Sequence, residues 1–248
     1  MRVKDKVVLV TGAGGGFGAG IARRMAAEGA RVVLSDIDAE TGRAVAGEIG
    51  EHARFVHGDV CKGDNVKAMV ETAVDSFGRL DAVVNNAGFT HYNQPMLEVD
   101  EATFDKVYAI NVKSIYWSAQ HAVPVFRKQG GGQIINIAST AGVRPRPGLT
   151  WYNGSKGAVI VLTRSMAVEL APENIRVNAI NPVMGETGML DAFMGGRTPE
   201  KQEKFISTIP LGRMSQPRDV ANAVLFMASD EAEFLTGVCL DVDGGRTV

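Results

Sequence analysis

The chain has 248 residues, 45% of them hydrophobic and 22% charged, and 26 Lys and Arg against 28 Asp and Glu give a net charge of −2. Those values fit one large α/β domain with an ample core, near the average for soluble globular proteins. No basic tract suits nucleic acid, and no apolar run approaches the roughly 20 residues that span a bilayer.

The N-terminus, "MRVKDKVVLVTG", runs straight into a strand pattern and does not read as a signal peptide. From there, short β-branched runs alternate with longer helical patterns. "KVVLV" (6–10), "RVVLS" (31–35), "ARFVHGDV" (53–60), "LDAVVNNAG" (80–88), "GQIINIAS" (132–139), "IRVNAINP" (175–182) and "VCLDVDGG" (238–245) read as strands. Most are apolar throughout, as in a parallel sheet covered on both faces. Helical patterns fall near 16–28, 39–49, 63–77, 100–129, 151–171 and 216–229. The alternation predicts an α/β fold, a doubly wound parallel sheet with right-handed crossovers and helices on both faces. Pro124 lies inside the fourth helical pattern and is expected to kink or end it.

The first strand runs into "TGAGGGFGAG" (11–20), with Gly12, Gly16 and Gly18 in a G-x3-G-x-G spacing. Missing side chains let a backbone approach a pyrophosphate closely, and the free N–H groups of the following helix face the negative charge. The second strand ends in Asp36, eighteen residues beyond Gly18. A carboxylate there can accept hydrogen bonds from an adenosine ribose and repels a 2′-phosphate. No Arg or Lys stands at position 15 or directly beside Asp36, so NAD is expected rather than NADP. Asp59 and Val60, ending the third strand, are placed to meet an adenine. Asn86, Ala87 and Gly88 end the fourth, where Asn and Gly also suit a simple turn.

Further on, "TAGVRPRPGLT" (140–150) and residues 183–214 break the rhythm, and both follow strand ends where ligands bind in open α/β sheets. Arg144 and Arg146 in the first are candidates for an anionic substrate group. The second, long and irregular, reads as a lid carrying Met184, Met189, Leu190, Phe193 and Met194. His52, His57, His91 and His121 show no metal spacing, and no metal site is expected; His91 is placed to reach the pocket mouth. Cys61 and Cys239 lie far apart and read as reduced thiols of a cytoplasmic protein. Ile115, Trp117, Val161 and Leu162 read as apolar residues exposed on the fourth and fifth helices.

Taken together, these motifs resemble the short-chain dehydrogenase/reductase family over nearly the whole chain. "TGAGGGFG" (11–18), with Phe17, is similar to its cofactor loop and "NNAG" (85–88) to its fourth-strand signature. Asn111 in "INVKS", Ser139 in "NIAST", and Tyr152 and Lys156 in "YNGSK" match its catalytic tetrad in identity and order. "NPVMGET" places Thr187 where the family contacts the nicotinamide amide. The resemblance implies a single Rossmann-type domain with seven strands in the order 3-2-1-4-5-6-7. It divides into a cofactor half (about 1–140) and a catalytic and substrate half (about 141–248) with the lid at 183–214. It also implies a homotetramer. Val183 stands where the family often has Gly, Gly154 where it often has Ala, and Glu186 has no assigned part.

Positions 152 and 156 share one helix face. A tyrosine ionises near pH ~10, and a neighbouring ammonium and a positive nicotinamide ring both favour its phenolate. Tyr152 is therefore expected to exchange a proton with an alcohol or carbonyl oxygen that Ser139 also holds. The resemblance gives Lys156 a bond to the nicotinamide ribose and Asn111 a water beside that lysine. The reading is an NAD(H)-dependent oxidoreductase for a small secondary alcohol or ketone, most like 3-oxoacyl-carrier-protein reductases and glucose 1-dehydrogenases. An NADPH-dependent 3-oxoacyl-carrier-protein reductase is the alternative. A non-catalytic dinucleotide-binding protein would need a broken tetrad, and an epimerase a larger C-terminal region.

Overall fold

Chain order alternates strand and helix, so each strand must cross over a sheet face to reach a parallel neighbour. The computed structural model describes residues 1–248 and contains β1 (Val7–Thr11), β2 (Arg31–Asp36), β3 (Ala53–His57), β4 (Ala82–Asn85), β5 (Gly132–Ile137), β6 (Ile175–Pro182) and β7 (Cys239–Val242). They form one parallel sheet in the order β3-β2-β1-β4-β5-β6-β7. The strand order reverses between β1 and β4, which opens a crevice at their carboxyl ends.

The helices are α1 (Gly16–Ala27), α2 (Ala39–Ile49), α3 (Gly63–Phe77), α4 (Glu101–Tyr108), α5 (Ser114–Gln129), α6 (Thr150–Leu170), α7 (Leu190–Met194), α8 (Pro199–Ile206) and α9 (Pro217–Ala228). Alternate residues of each strand feed different cores. Val8, Val10, Val32 and Leu34 pack with Ile21, Met25, Val224 and Leu225 of α1 and α9. Val7, Leu9 and Val33 pack with Met69, Val70, Val123, Phe126 and Ala167 of α3, α5 and α6. Burying each large side chain contributes about 1.5–3 kcal/mol, and two such layers leave no polar face on the strands.

Four expectations are corrected. The pattern at 100–129 is not one α-helix: α4 and α5 are separated by a π-helical turn at Ala109–Lys113. The helix also runs through Pro124 to Gln129. Pro124 and Gln120 are both exposed, so the missing hydrogen bond falls on the outer side of the helix. The segment 183–214 is not wholly irregular, since it holds α7 and α8. Ile115 is buried against Ala138, Val159 and Ile160, so of the four apolar residues expected outside only Val161 is fully exposed. No helix is long and apolar enough to cross a membrane.

Candidate active site

The first β–α turn needs glycine for two separate reasons. Gly12 and Gly16 have φ of 63° and 51°, where other residues are strained. Gly18 lies against the chain itself: a Cβ there would sit 2.0 Å from the Gly12 carbonyl oxygen. Asn86 holds the turn from β4, donating through Nδ2 to the carbonyl oxygens of Thr11 at 2.8 Å and Gly12 at 3.0 Å. Asp36 Oδ2 accepts from the Gly14 N–H at 2.8 Å and Oδ1 from the Asp38 N–H at 3.0 Å. The N-cap of α2 is Asp38 and not Asp36. α1 starts after Gly15 without a side-chain cap, so its first N–H groups remain available.

This turn forms one wall of a cleft of about 500 Å³. Gly12, Gly16, Phe17, Asp36, Asp59, Val60, Asn86, Ala87, Gly88 and Thr187 line it, and so do Ser139, Tyr152 and Lys156. The volume suits an elongated organic ligand. At Gly15 a side chain would meet nothing within 4 Å, so the loop backbone faces open space at that point. A dinucleotide fits these groups: backbone N–H donors and a helix start for the pyrophosphate, an accepting carboxylate for a ribose, and a Thr187 hydroxyl further along.

At the far end, α6 carries Tyr152 and Lys156 one turn apart, both buried, with Nζ 5.9 Å from the phenol ring centre. Lys156 Nζ donates to the Ile137 carbonyl oxygen at 2.8 Å, which ties α6 to the end of β5. A buried polar ladder strengthens the same junction. Asn85 donates to Asn136, and Asn136 to Thr163, each at 2.9 Å. Ser139 begins the loop after β5 and accepts from the Ala141 N–H at 3.1 Å. Burial pushes the Tyr152 phenol up to about 12, opposed by a hydrogen bond from Ser139 and by the Arg146 charge. Burial also pushes the Lys156 ammonium down to about 8. Ser139 and Arg146 act against burial of the phenol, in the direction expected of Lys156 and of a bound nicotinamide ring.

A family model described as enoyl-(acyl carrier protein) reductase matches residues 12–247. The chain is 52% identical to a 4-formylbenzenesulfonate dehydrogenase of Comamonas testosteroni, covering 100% of both chains. It is 40% identical to a cyclopentanol dehydrogenase of a Comamonas strain, over 99% of this chain and 98% of the relative. Among solved structures, a 3-ketoacyl-(acyl-carrier-protein) reductase of Brucella melitensis complexed with NADH is 44% identical, with a TM-score of 0.95 over 99% of this chain and 100% of that one. The chain belongs to the short-chain dehydrogenase/reductase family. It is an oxidoreductase of that family with a site for a nicotinamide dinucleotide.

Within this short-chain dehydrogenase/reductase fold, two expected site residues lie behind the cleft and do not line it. Gly18 is buried and acts by letting α1 approach the turn. Asn111 sits in the π-helical turn, where its side chain accepts from the Phe89 N–H at 2.9 Å and donates to the Phe89 carbonyl oxygen and Ser155 Oγ, both at 2.9 Å. It thus joins the loop after β4 to α6. His91 is also buried, with Nδ1 against the Tyr92 carbonyl oxygen, and is absent from the cleft. Val183 takes the place of glycine without strain: its N–H donates to Val242 and its carbonyl oxygen accepts from Ser215 Oγ. Gly154 suits a tight approach, since a Cβ would stand 3.0 Å from the Tyr108 hydroxyl. Glu186 is exposed and faces Arg213. The sequence reading missed Asn136, Thr163 and Arg246. For the first, an Asn inside the apolar strand "IINIA" was the available signal, because a buried amide requires partners.

Proposed function

We propose that the protein is an NAD(H)-dependent dehydrogenase/reductase for the alcohol or carbonyl group of a small cyclic or aromatic substrate, with Tyr152 as general acid and base. The observation that carries the reading is the meeting of Ser139, Tyr152 and Lys156 at one end of a cleft that holds Asp36 at the other. Bound in that cleft, a nicotinamide dinucleotide supplies the hydride acceptor or donor. Asp36 would accept from its adenosine ribose and disfavour a 2′-phosphate. Lys156, fixed by the Ile137 carbonyl oxygen, has two further N–H donors for the other ribose.

In the reducing direction Tyr152 gives its proton to the substrate oxygen, and the buried phenol is in the protonated form that this requires. In the oxidising direction it takes the alcohol proton. Ser139 donates a hydrogen bond to the same oxygen and steadies the charge that develops there. Met184, Met189 and Phe193 form an apolar wall beside these hydroxyls and exclude water. Such a wall suits a ring, as do the relatives named for an aromatic aldehyde and for cyclopentanol.

The test is a panel of benzylic, cyclic and sugar alcohols and hydroxy acids, read as NADH absorbance with NAD and again with NADP. Turnover of ring alcohols with NAD supports the reading, and equal or better rates with NADP overturn the cofactor assignment. Preference for a 3-oxoacyl thioester with NADPH would favour the second reading, to which the Brucella relative lends support.

We also infer a cytoplasmic homotetramer. Tyr116 on α5 and Val161 and Val168 on α6 leave apolar surface open to solvent, which a two-fold helix pairing would cover. Light scattering after gel filtration tests the assembly.

A further inference from the structure

Three arginines converge beside the catalytic hydroxyls. Arg144 and Arg146 come from the loop between β5 and α6, and Arg246 from the tail after β7. All three line a cavity of about 20 Å³ whose other walls include Ser139, Tyr152, Phe193 and Phe205. A single water needs about 10–15 Å³ by this kind of measure, so the space as it stands holds about one water, and an acidic head group reaches the guanidinium groups from the adjoining cleft as the exposed Arg144 and half-buried Arg146 side chains shift outward. The cavity shares Ser139, Tyr152, Met184 and Phe193 with the main cleft, so a ligand can extend from one into the other.

None of the three forms a direct ion pair, although the Asp243 carboxylate opposes the burial of Arg246. The ion pairs of the chain use other arginines: Arg2, Arg23, Arg24, Arg79, Arg127 and Arg213. Arg144 donates to the Arg246 carbonyl oxygen at 2.7 Å, which steadies the tail. The Arg146 guanidinium lies 5.0 Å from the Phe205 ring centre and 5.8 Å from that of Phe193, and Arg246 lies 5.2 Å from that of Phe205. The neighbouring carboxylate, Asp243, already accepts from the Gly245 and Thr247 N–H groups and the Thr247 hydroxyl. Burial holds Arg146 down at about 10 and lowers Arg246; a like charge adds to each shift, and Tyr152 and Asp243 respectively oppose them. Three guanidinium groups with this little compensation are stabilised by an anion placed among them.

We infer that Arg146 and Arg246, backed by Arg144, form a specificity subsite for a sulfonate or carboxylate on the substrate. The inference rests on the alcohol/carbonyl reading above and gives its substrate class: a ring bearing the reacting group at one end and an acidic group at the other. Phe193 sets that geometry. Its ring is edge-on to Tyr152 at 5.1 Å and also meets Arg146, so one aromatic width separates the proton-transfer site from the guanidinium groups.

The test compares NAD-linked oxidation of 4-(hydroxymethyl)benzenesulfonate, 4-(hydroxymethyl)benzoate and neutral 4-methylbenzyl alcohol. The wild type should favour one or both anions by about 10-fold or more in kcat/KM, the scale of a charge-assisted contact. Arg146→Gln and Arg246→Gln should each lose about 10-fold on the anions, mainly through KM, and less than about 2-fold on the neutral alcohol, with Arg146→Lys in between. Equal use of anionic and neutral alcohols, or equal losses on both in the variants, overturns the subsite while the oxidoreductase reading stands. Calorimetric titration with benzenesulfonate and with benzyl alcohol separates the two ideas and needs no variant. Selective benzenesulfonate binding by a wild type that oxidises none of the alcohols would refute the substrate reaction and keep the subsite. Failure of benzenesulfonate to bind overturns it.

Discussion

Lys156 and Tyr152 stand one helical turn apart with Nζ 5.9 Å from the phenol ring centre, and burial drives both toward their neutral forms. The pair is arranged for function at a cost in stability. An ammonium within the fold is anchored by one carbonyl oxygen and otherwise taken out of water.

Replacing Tyr152 with Phe removes the proton-transfer group and leaves the packing against Phe193 in place. Turnover should fall by about 10²–10⁴-fold, while NADH affinity, read by fluorescence titration, stays within about 3-fold. Retained turnover would remove Tyr152 from the mechanism.

Lys156 makes a linked prediction about stability. Its pKa is lowered in the fold from 10.5 to about 8, so the unfolded chain holds more protons between those values. Stability should therefore rise with pH from about 8 to 10, by at most about 1.4 kcal/mol per pH unit. The penalty is complete below pH 8. Lys156→Met should resist urea better than wild type at pH 7 and lose that advantage by pH 10, although it turns over no substrate. Parallel pH profiles of the two proteins would contradict this.

Because the Tyr152 phenol is held up at about 12, its ionised form grows with pH throughout the range from about 7 to 10. Alcohol oxidation should speed up from pH 7 to 10 and carbonyl reduction should not. Initial rates in both directions across that range check the sign.

Asp36→Asn keeps an acceptor for the Gly14 N–H and removes the charge. The wild type should prefer NAD over NADP by about 10²-fold in kcat/KM, and the variant should narrow that ratio to about 10-fold or less. An unchanged ratio would clear Asp36 of the discrimination.

Gly18→Ala and Gly15→Ala separate packing from ligand approach. The first drives a Cβ into the Gly12 carbonyl oxygen and should cost about 1–3 kcal/mol, with weaker NADH binding as the turn shifts. Gly15 has extended backbone with open space around it. Its variant should keep its melting temperature within about 2 °C, since a substitution at such a site costs well under 1 kcal/mol. Any loss it shows should be in dinucleotide affinity alone.

The strand–helix alternation was legible because each apolar run must be buried on both faces, and only a covered parallel sheet does that. The glycine turn, Asp36 and the Tyr152–Lys156 spacing were legible because their chemistry is local: a bare backbone, a carboxylate at a strand end, two side chains on one helix face. Pro124 does not end its helix, because a proline at an exposed helical position is tolerated at the loss of one hydrogen bond. The π-helical turn was hidden because it answers to the loop after β4, whose Phe89 backbone Asn111 must satisfy.

The sequence by itself determined the fold class and the dinucleotide turn, which follow from residue type and short-range spacing, and its family resemblance singled out Ser139 and Tyr152 as the candidate hydroxyls. Tertiary structure alone decided the protonation balance of Tyr152 and Lys156, which is set by burial. It alone brought Arg246 to Arg144 and Arg146, because β7 lies beside β6 and delivers the tail to the active-site end of the sheet. Electrostatic free energy depends on distance through space, and no spacing along the chain encodes it.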